Sequence, residues 1–283
     1  MTKVKVAGIQ MPITSDKETN LKKAEALLVQ AANDGARMAS LPEYFLCDCP
    51  EEWMSQEELQ AVAEPIPGPS FQFLADVAKK TGLYICTGSY LEKRPDGKLQ
   101  NSSAFIDPKG NLLGTFQKIH PEDAPPKKEY TLGLVPGEKY PVFDTEFGKV
   151  GIMLDMDAVI PEAFSILAVK GAVLIFWCVN WSARWFNQID ILPAAHAMLN
   201  KIYTVTSNRI GTRVSKVGTF TYNGGAKICS PEGFTIARAI DYSEGYAIGE
   251  FDPELMAEWR NVIIPRDYPL RRRPDTYSEI LNV

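Results

Sequence analysis

The sequence predicts a layered α/β or α+β domain. Three observations carry this. Strand-like and helix-like segments alternate along the whole chain. Runs such as Ala172–Phe176 are continuously apolar, as in strands covered on both faces. No internal repeat, low-complexity tract or long linker divides the 283 residues, so one domain spanning 1–283 is expected.

The elements follow in order. Val4, Val6 and Ile9 lie in a β-rich run. Leu21, Ala24, Leu27, Leu28 and Ala31 recur at helical spacing, and Ala39–Leu41 leads into Pro42-Glu43. Pro67-Gly68-Pro69 breaks the chain. Ser70 can cap a helix carrying Phe73, Leu74 and Val77, and Leu83–Tyr90 reads as one strand. Asn101–Ile106 and Leu112–Gln117 flank the turn Pro108-Lys109-Gly110, a hairpin pattern. From His120 to Gly137 the chain is rich in Pro, Lys and Glu, a loop of a length that is usually functional.

Val150–Leu154 then reads as a buried strand, Pro161–Val169 as a helix with Pro in its first turn, and Ala172–Trp177 as a strand. A helix from about Ser182 to Asn200 and a strand Tyr203–Ser207 repeat the pattern. Gly225–Ile228, Thr235–Ala239 and Tyr246–Phe251 are β-rich, and a short helix starts at Asp252.

Thirty basic against thirty-five acidic residues give a net charge of −5, which disfavours a nucleic-acid or anionic-membrane binder. No apolar run reaches the roughly 20 residues of a membrane span, and MTKVKVAGIQ lacks an apolar signal region. Cys47, Cys49, Cys86, Cys178 and Cys229 are odd in number and irregularly spaced. They fit reduced thiols in a cytoplasmic protein. With only His120 and His196, a histidine-rich metal site is excluded, and both are expected to be structural or exposed.

Three charged residues sit at predicted strand ends, where scaffolds present reactive groups: Glu43, Lys118 and Asp155. Carboxylate and ammonium converging in one pocket can do acid–base work. Each alone reads more readily as a solvated strand-end residue or a surface ion pair.

Read together, the segments resemble the nitrilase superfamily, the carbon–nitrogen hydrolases. The resemblance runs through Val6–Gln10, Leu41–Phe45, Asn101–Ser103, Phe116–His120, Pro136-Gly137, Gly148–Ile152, Pro161-Glu162, Asn208-Arg209 and Arg272–Tyr277. It implies a four-layer αββα sandwich that pairs into a homodimer or larger homo-oligomer, with the tail, about 262–283, extending to a partner subunit. It also implies a Glu–Lys–Cys site acting on a small amide, carbamoyl compound or nitrile, without cofactor. Glu43 falls on the general base and Lys118 on the oxyanion-stabilising lysine; Glu129 is the candidate for an assisting glutamate.

The nucleophile position departs from the family pattern. In Gly151–Glu162 the glycine, Asp157 and Pro161-Glu162 align, but Asp155 stands where the cysteine belongs. A thiol can pass a proton to a carboxylate and attack. Asp is already ionised, is a poor nucleophile toward an unactivated amide and would give a mixed anhydride, so the thioester route is blocked. Asp155 beside Glu43 also crowds two negative charges and should raise one carboxyl pKa unless Lys118 offsets it.

Four explanations follow: a silent homologue that binds a small ligand or protein partner, different chemistry with Asp155, Glu43 and Lys118, an engineered replacement, or takeover by Cys178. Met156 and Ile160 also depart from the aromatic residues of the pattern, which favours divergence of the whole site. Trp177, Asn180 and Trp181, with Trp185 and Phe186, are expected to wall a small-molecule pocket; an aromatic dimer contact is the competing reading. Glu43, Glu129 and Asp155 could bind a hard cation, but Lys118 among them argues against a metal.

Overall fold

The structure, a computed structural model, describes residues 3–48, 54–123, 127–259 and 272–281. Cys49 and most of the expected C-terminal extension lie outside the described residues.

Strand β1 (Val4–Pro12) is buried at nearly every position and is followed by helix α1 (Lys17–Asn33). Asp16 caps that helix, its carboxylate accepting from Thr19 N at 2.8 Å, and Ala24, Leu27, Leu28 and Ala31 form its buried face. Strand β2 (Ala36–Ser40) runs parallel to β1 and leads into Pro42-Glu43. Helix α2 (Gln56–Val62) carries a capping box between Ser55 and Glu58. Helix α3 (Pro69–Thr81) starts one residue before the expected cap. Gly68 is its N-cap, and Ser70 instead donates from its backbone N and its hydroxyl to Glu64.

The run Leu83–Tyr90 is two strands, β3 (Tyr84–Cys86) and β4 (Tyr90–Lys93). The break is at Gly88, whose φ of +65° favours glycine and where a Cβ would lie 2.0 Å from the Pro42 carbonyl oxygen. This close approach seats the β3–β4 link directly against the Pro42-Glu43 turn. The hairpin is present as β5 (Leu99–Ile106) and β6 (Leu112–Gln117). The loop from His120 to Gly137 contains no helix or strand among its described residues.

Strands β7 (Val142–Thr145) and β8 (Gly148–Leu154) pair antiparallel, and a 3-10 turn over Asp155–Val159 precedes α4 (Pro161–Val169). Strand β9 (Ala172–Cys178) is buried throughout. The helix expected from Ser182 opens with a 3-10 turn and becomes α5 (Phe186–Asn200). Strand β10 (Tyr203–Ser215) is longer than expected; its second half pairs with β11 (Gly218–Asn223). The chain continues through β12 (Lys227–Cys229), β13 (Thr235–Arg238), β14 (Gly245–Phe251) and α6 (Pro253–Glu258).

Among the described residues the strands join in one mixed sheet with the main order β4-β5-β3-β2-β1-β10-β9-β8-β7. The sheet folds over on itself, and β10 is the crossover. Its first residues pair with β9 and β12, its later ones with β1 and β11. The two halves meet face to face: Val6, Phe105 and Phe116 from one side share a core with Ile152, Leu174 and Phe176 from the other. A second core packs α1 and α3 on the outer face of the first half, through Leu27, Leu28, Leu74 and Val77. Phe164 and Leu167 of α4 join the first core from the far side. The layers are therefore helix, sheet, sheet, helix, the αββα arrangement. Removing nearly 70 core apolar side chains from water, at about 25 cal/mol per Å² of buried area, is the main stabilising term.

Candidate active site

Glu43 follows β2, Lys118 follows β6, Asp155 follows β8 and Asn180 follows β9, so the fold brings four strand ends to one place. Asp155 occupies left-handed backbone (φ 47°), an unfavourable conformation for a non-glycine residue. Such strain persists only where the surroundings fix it. Here the Asp155 carbonyl accepts from Trp177 Nε1 at 3.1 Å, and its Oδ1 accepts from the Asn180 backbone N at 3.4 Å.

The expected charged residues converge. Lys118 Nζ lies 3.1 Å from Glu43 Oε1, 3.1 Å from Asp155 Oδ2 and 2.8 Å from Glu129 Oε2. All four side chains are buried. Glu129 is anchored by Tyr44 Oη at 2.5 Å, by Asn101 Nδ2 at 2.8 Å and by the Glu122 backbone N at 2.9 Å. Asn101 Nδ2 also donates to Glu43 Oε1 at 2.8 Å.

Two further residues belong to the cluster that sequence reasoning did not single out. Lys127 Nζ lies 2.7 Å from Glu43 Oε2, 2.6 Å from Asp155 Oδ1 and 2.8 Å from Glu122 Oε1. Both come from the Pro-, Lys- and Glu-rich loop, whose composition was the only signal; adjacent Lys127 and Lys128 cannot be ranked without the fold.

Two ammonium groups thus face four carboxyls. Protons on two of the carboxyls would make the cluster neutral, and the environment favours this. Burial, reinforced by the Asp155 charge, pushes Glu43 up to about 8 despite Lys118 and Lys127. Burial and Asp155 likewise raise Glu122 well above the usual carboxylate range. For Asp155, burial opposes ionisation but is outweighed by Lys118 and Lys127, which hold it well below that range. Burial also opposes charge on Lys118 and Lys127, but Asp155 and the glutamates outweigh it and raise both above the ordinary lysine value. The crowding of Glu43 against Asp155 therefore raises Glu43.

This has a consequence for stability. Folded Glu43 keeps its proton to about pH 8, whereas the free side chain releases it near 4.5. Its contribution is full below the lower value and is lost as pH rises through the upper one. Glu43→Gln removes that titration. In urea unfolding between about pH 5 and about pH 9, the parent should lose stability relative to Glu43→Gln as pH rises. Parallel curves would contradict the assignment.

The other expected residues separate. Trp177 is fully buried, packs on Phe164 and Trp181 and serves Asp155 through its indole N–H. Trp181 is also buried, whereas Trp185 and Phe186 are partly exposed. The Asn180 carboxamide is buried with neither polar atom hydrogen-bonded, which suits a group awaiting a polar ligand. His196 stacks on Phe164 with ring centroids 4.1 Å apart and meets the Ala158 carbonyl at 2.8 Å, a structural role. His120 Nδ1 is 2.8 Å from Asp157 Oδ1, and that carboxylate also accepts from the Ile119 and His120 backbone N–H groups. Cys178 is buried with its Sγ 3.6 Å from Cys86 Sγ, and burial raises its thiol well above the usual range, the opposite of an activated nucleophile. No group of three or more His, Cys, Asp or Glu side chains is arranged to hold a metal among the described residues. No helix among them is long and apolar enough to cross a membrane.

The chain is similar to known proteins along nearly its whole length. A nitrilase from Pyrococcus abyssi is 34% identical over 260 residues, covering 91% of this chain and 93% of its own. Omega-amidase NIT2-A from Xenopus laevis is 33% identical over 289 residues, covering 98% of each. A carbon-nitrogen hydrolase from Helicobacter pylori G27 superimposes with a TM-score of 0.87 over 99% of each chain at 23% identity, a likeness of fold. The family model for carbon-nitrogen hydrolases matches residues 5–261, and the chain belongs to the carbon-nitrogen hydrolase family.

Proposed function

We propose that the chain hydrolyses a small carbon–nitrogen compound at the Glu43–Lys118–Asp155 site, with Asp155 facing the substrate where the family pattern has a thiol. The observation that carries this reading is the convergence of Glu43, Asp155 and Glu129 on the Lys118 ammonium within 3.1 Å. The kinship with a nitrilase and an omega-amidase supports an amide or nitrile as substrate.

For an amide, the chemistry is direct addition of water. The water oxygen bonds to the carbonyl carbon while Asp155 accepts its proton. Lys118 holds the developing oxyanion, the role of a preorganised donor. Glu43, protonated near neutral pH, gives its proton to the departing nitrogen as the C–N bond breaks. The proton on Asp155 then restores Glu43, and one water is consumed per bond cleaved. Because its two lysines leave Asp155 a weak base, this route favours reactive substrates over simple unactivated amides. Asn180 supplies a carboxamide to the bound molecule, and Trp181 an apolar wall.

Turnover of a panel of small amides, carbamoyl compounds and nitriles tests the reading. At least one should be hydrolysed, and Glu43→Gln should lower kcat by about 100-fold or more, the usual scale of a general acid–base group. Equal rates in parent and variant would sink it.

A second reading, a silent binder of a small ligand, is favoured by one feature: every oxygen of Glu43 and Asp155 already has an ammonium partner. It predicts no turnover across the panel, yet ligand-dependent thermal stabilisation.

A second copy of the chain is the proposed partner. Val169 of α4 and Ile191, Met198 and Leu199 of α5 are exposed apolar side chains on the outer helical layer. Sedimentation velocity should give a dimer or a multiple of it; a monomer at micromolar concentration would contradict this.

A further inference from the structure

Lys127 carries no proton and holds no oxyanion in the hydrolytic scheme, yet it is as deeply committed to the site as Lys118. It is 3% exposed, although a lysine is almost never buried without a compensating reason. The two lysines approach Asp155 from opposite oxygens: Lys118 stands 3.1 Å from Oδ2 and Lys127 2.6 Å from Oδ1. Glu43 repeats the pattern, with Lys118 at 3.1 Å from Oε1 and Lys127 at 2.7 Å from Oε2. The four side chains therefore form a closed ring in which each acid bridges both ammonium groups. Glu122 and Glu129 flank it, Glu122 on Lys127 at 2.8 Å and hydrogen-bonded to Asp155, and Glu129 on Lys118 at 2.8 Å.

The ring answers a question of charge. A thiol at this position would bring no obligatory charge, and one buried lysine could serve it. A carboxylate brings a full negative charge to a place with no exposed surface, next to another carboxyl. Burying such a charge is costly unless it is paired and its lone pairs are satisfied. Lys118 alone is shared among Glu43, Glu129 and Asp155 and reaches only one oxygen of Asp155. Lys127 takes the other.

We propose that Lys127 is a positioning residue for Asp155: its ammonium closes the ring and fixes the carboxylate between two cations. Asp155 and Lys127 are then one functional unit, contributed by a strand end and by the long loop. This rests on the placement of the groups and not on any turnover, so it can fail or stand independently of the hydrolytic reading.

Four variants test it: Lys127→Met, Lys127→Arg, Asp155→Asn and the double variant Lys127→Met/Asp155→Asn. The first readout is the carbon-13 NMR titration of the Asp155 carboxyl. In Lys127→Met its midpoint should rise by at least one pH unit, about tenfold in proton concentration, and Lys127→Arg should restore it. A lysine that merely fills space would leave the titration unmoved, so an unchanged midpoint in folded Lys127→Met overturns the proposal. The second readout is the unfolding midpoint. The double variant should be more stable than the sum of the single losses allows, because removing the charge removes the need for its partner. Strict additivity overturns the proposal. Should Lys127→Met fail to fold, recovery of folding in the double variant supports the unit, and failure of the double variant overturns it.

Discussion

Lys118→Met is expected to destabilise the protein by about 3–5 kcal/mol at neutral pH, the cost of leaving buried charge without its partner. Lys118 is 1% exposed and is the ammonium nearest to Glu129, with Glu43 and Asp155 also at hydrogen-bonding distance. Methionine has similar length and no charge, so volume is preserved and the loss reports electrostatics. The sign with pH follows. The stranded carboxylates can relieve the strain by taking up protons, so the deficit should shrink as pH falls toward the ordinary carboxylate range. Lys149→Met is the control. Its partner Asp144 is exposed, and loss of such a surface pair costs about 0–1 kcal/mol. Urea unfolding of both variants at neutral and acid pH makes the measurement. Equal small losses would mean that the charges around Lys118 are not paired as described.

Asp155→Cys should give a thiol that ionises well below its ordinary pKa. The new sulfur would stand at a strained strand end, with Lys118 and Lys127 on either side of the group it replaces. Two neighbouring ammonium groups lower a thiol pKa from its ordinary value of about 8.5 by roughly one unit or more. Cys178, in apolar surroundings, is displaced the other way and supplies the internal contrast. The ultraviolet thiolate absorbance, compared with the parent across pH, reads this directly. With Glu43 to handle protons and Lys118 to hold the oxyanion, turnover of simple amides should rise by at least about tenfold over the parent. A thiol titrating at or above its ordinary value would show that the lysines do not face this position.

The sequence makes the layered fold legible because strand and helix periodicity alternate without interruption and the buried strands are continuous apolar runs. Where the reading slips, local chemistry explains it. Leu83–Tyr90 reads as one apolar strand, but Gly88 must pass beneath Pro42 and breaks it. Ser70 reads as a cap, but its hydrogen bonds go to Glu64, so Gly68 takes that place. Strand β11 is missed although Gly218–Asn223 alternates polar and apolar residues, the pattern of a half-exposed strand, because the run is short and holds only two apolar residues, Phe220 and Tyr222. Glu43, Lys118 and Asp155 can be singled out because each ends a strand and each falls on a recognisable motif. Lys127 and Glu122 cannot, since they lie in an irregular loop whose path no periodicity specifies. The resemblance also carries a pattern built around a thiol, which gives no reason to look for a second lysine. Trp177 is legible as part of the site, but its role is to hold the Asp155 backbone.

The central claim is that reaction at this site proceeds on a carboxylate and not on sulfur. Hydrolysis of the best panel substrate by the Cys178→Ala variant, before and after exhaustive alkylation of its remaining accessible thiols, tests it most directly, because Cys178 itself is buried. Undiminished turnover after alkylation, abolished by Glu43→Gln, is the predicted result. Turnover that disappears in proportion to thiol modification would contradict the account.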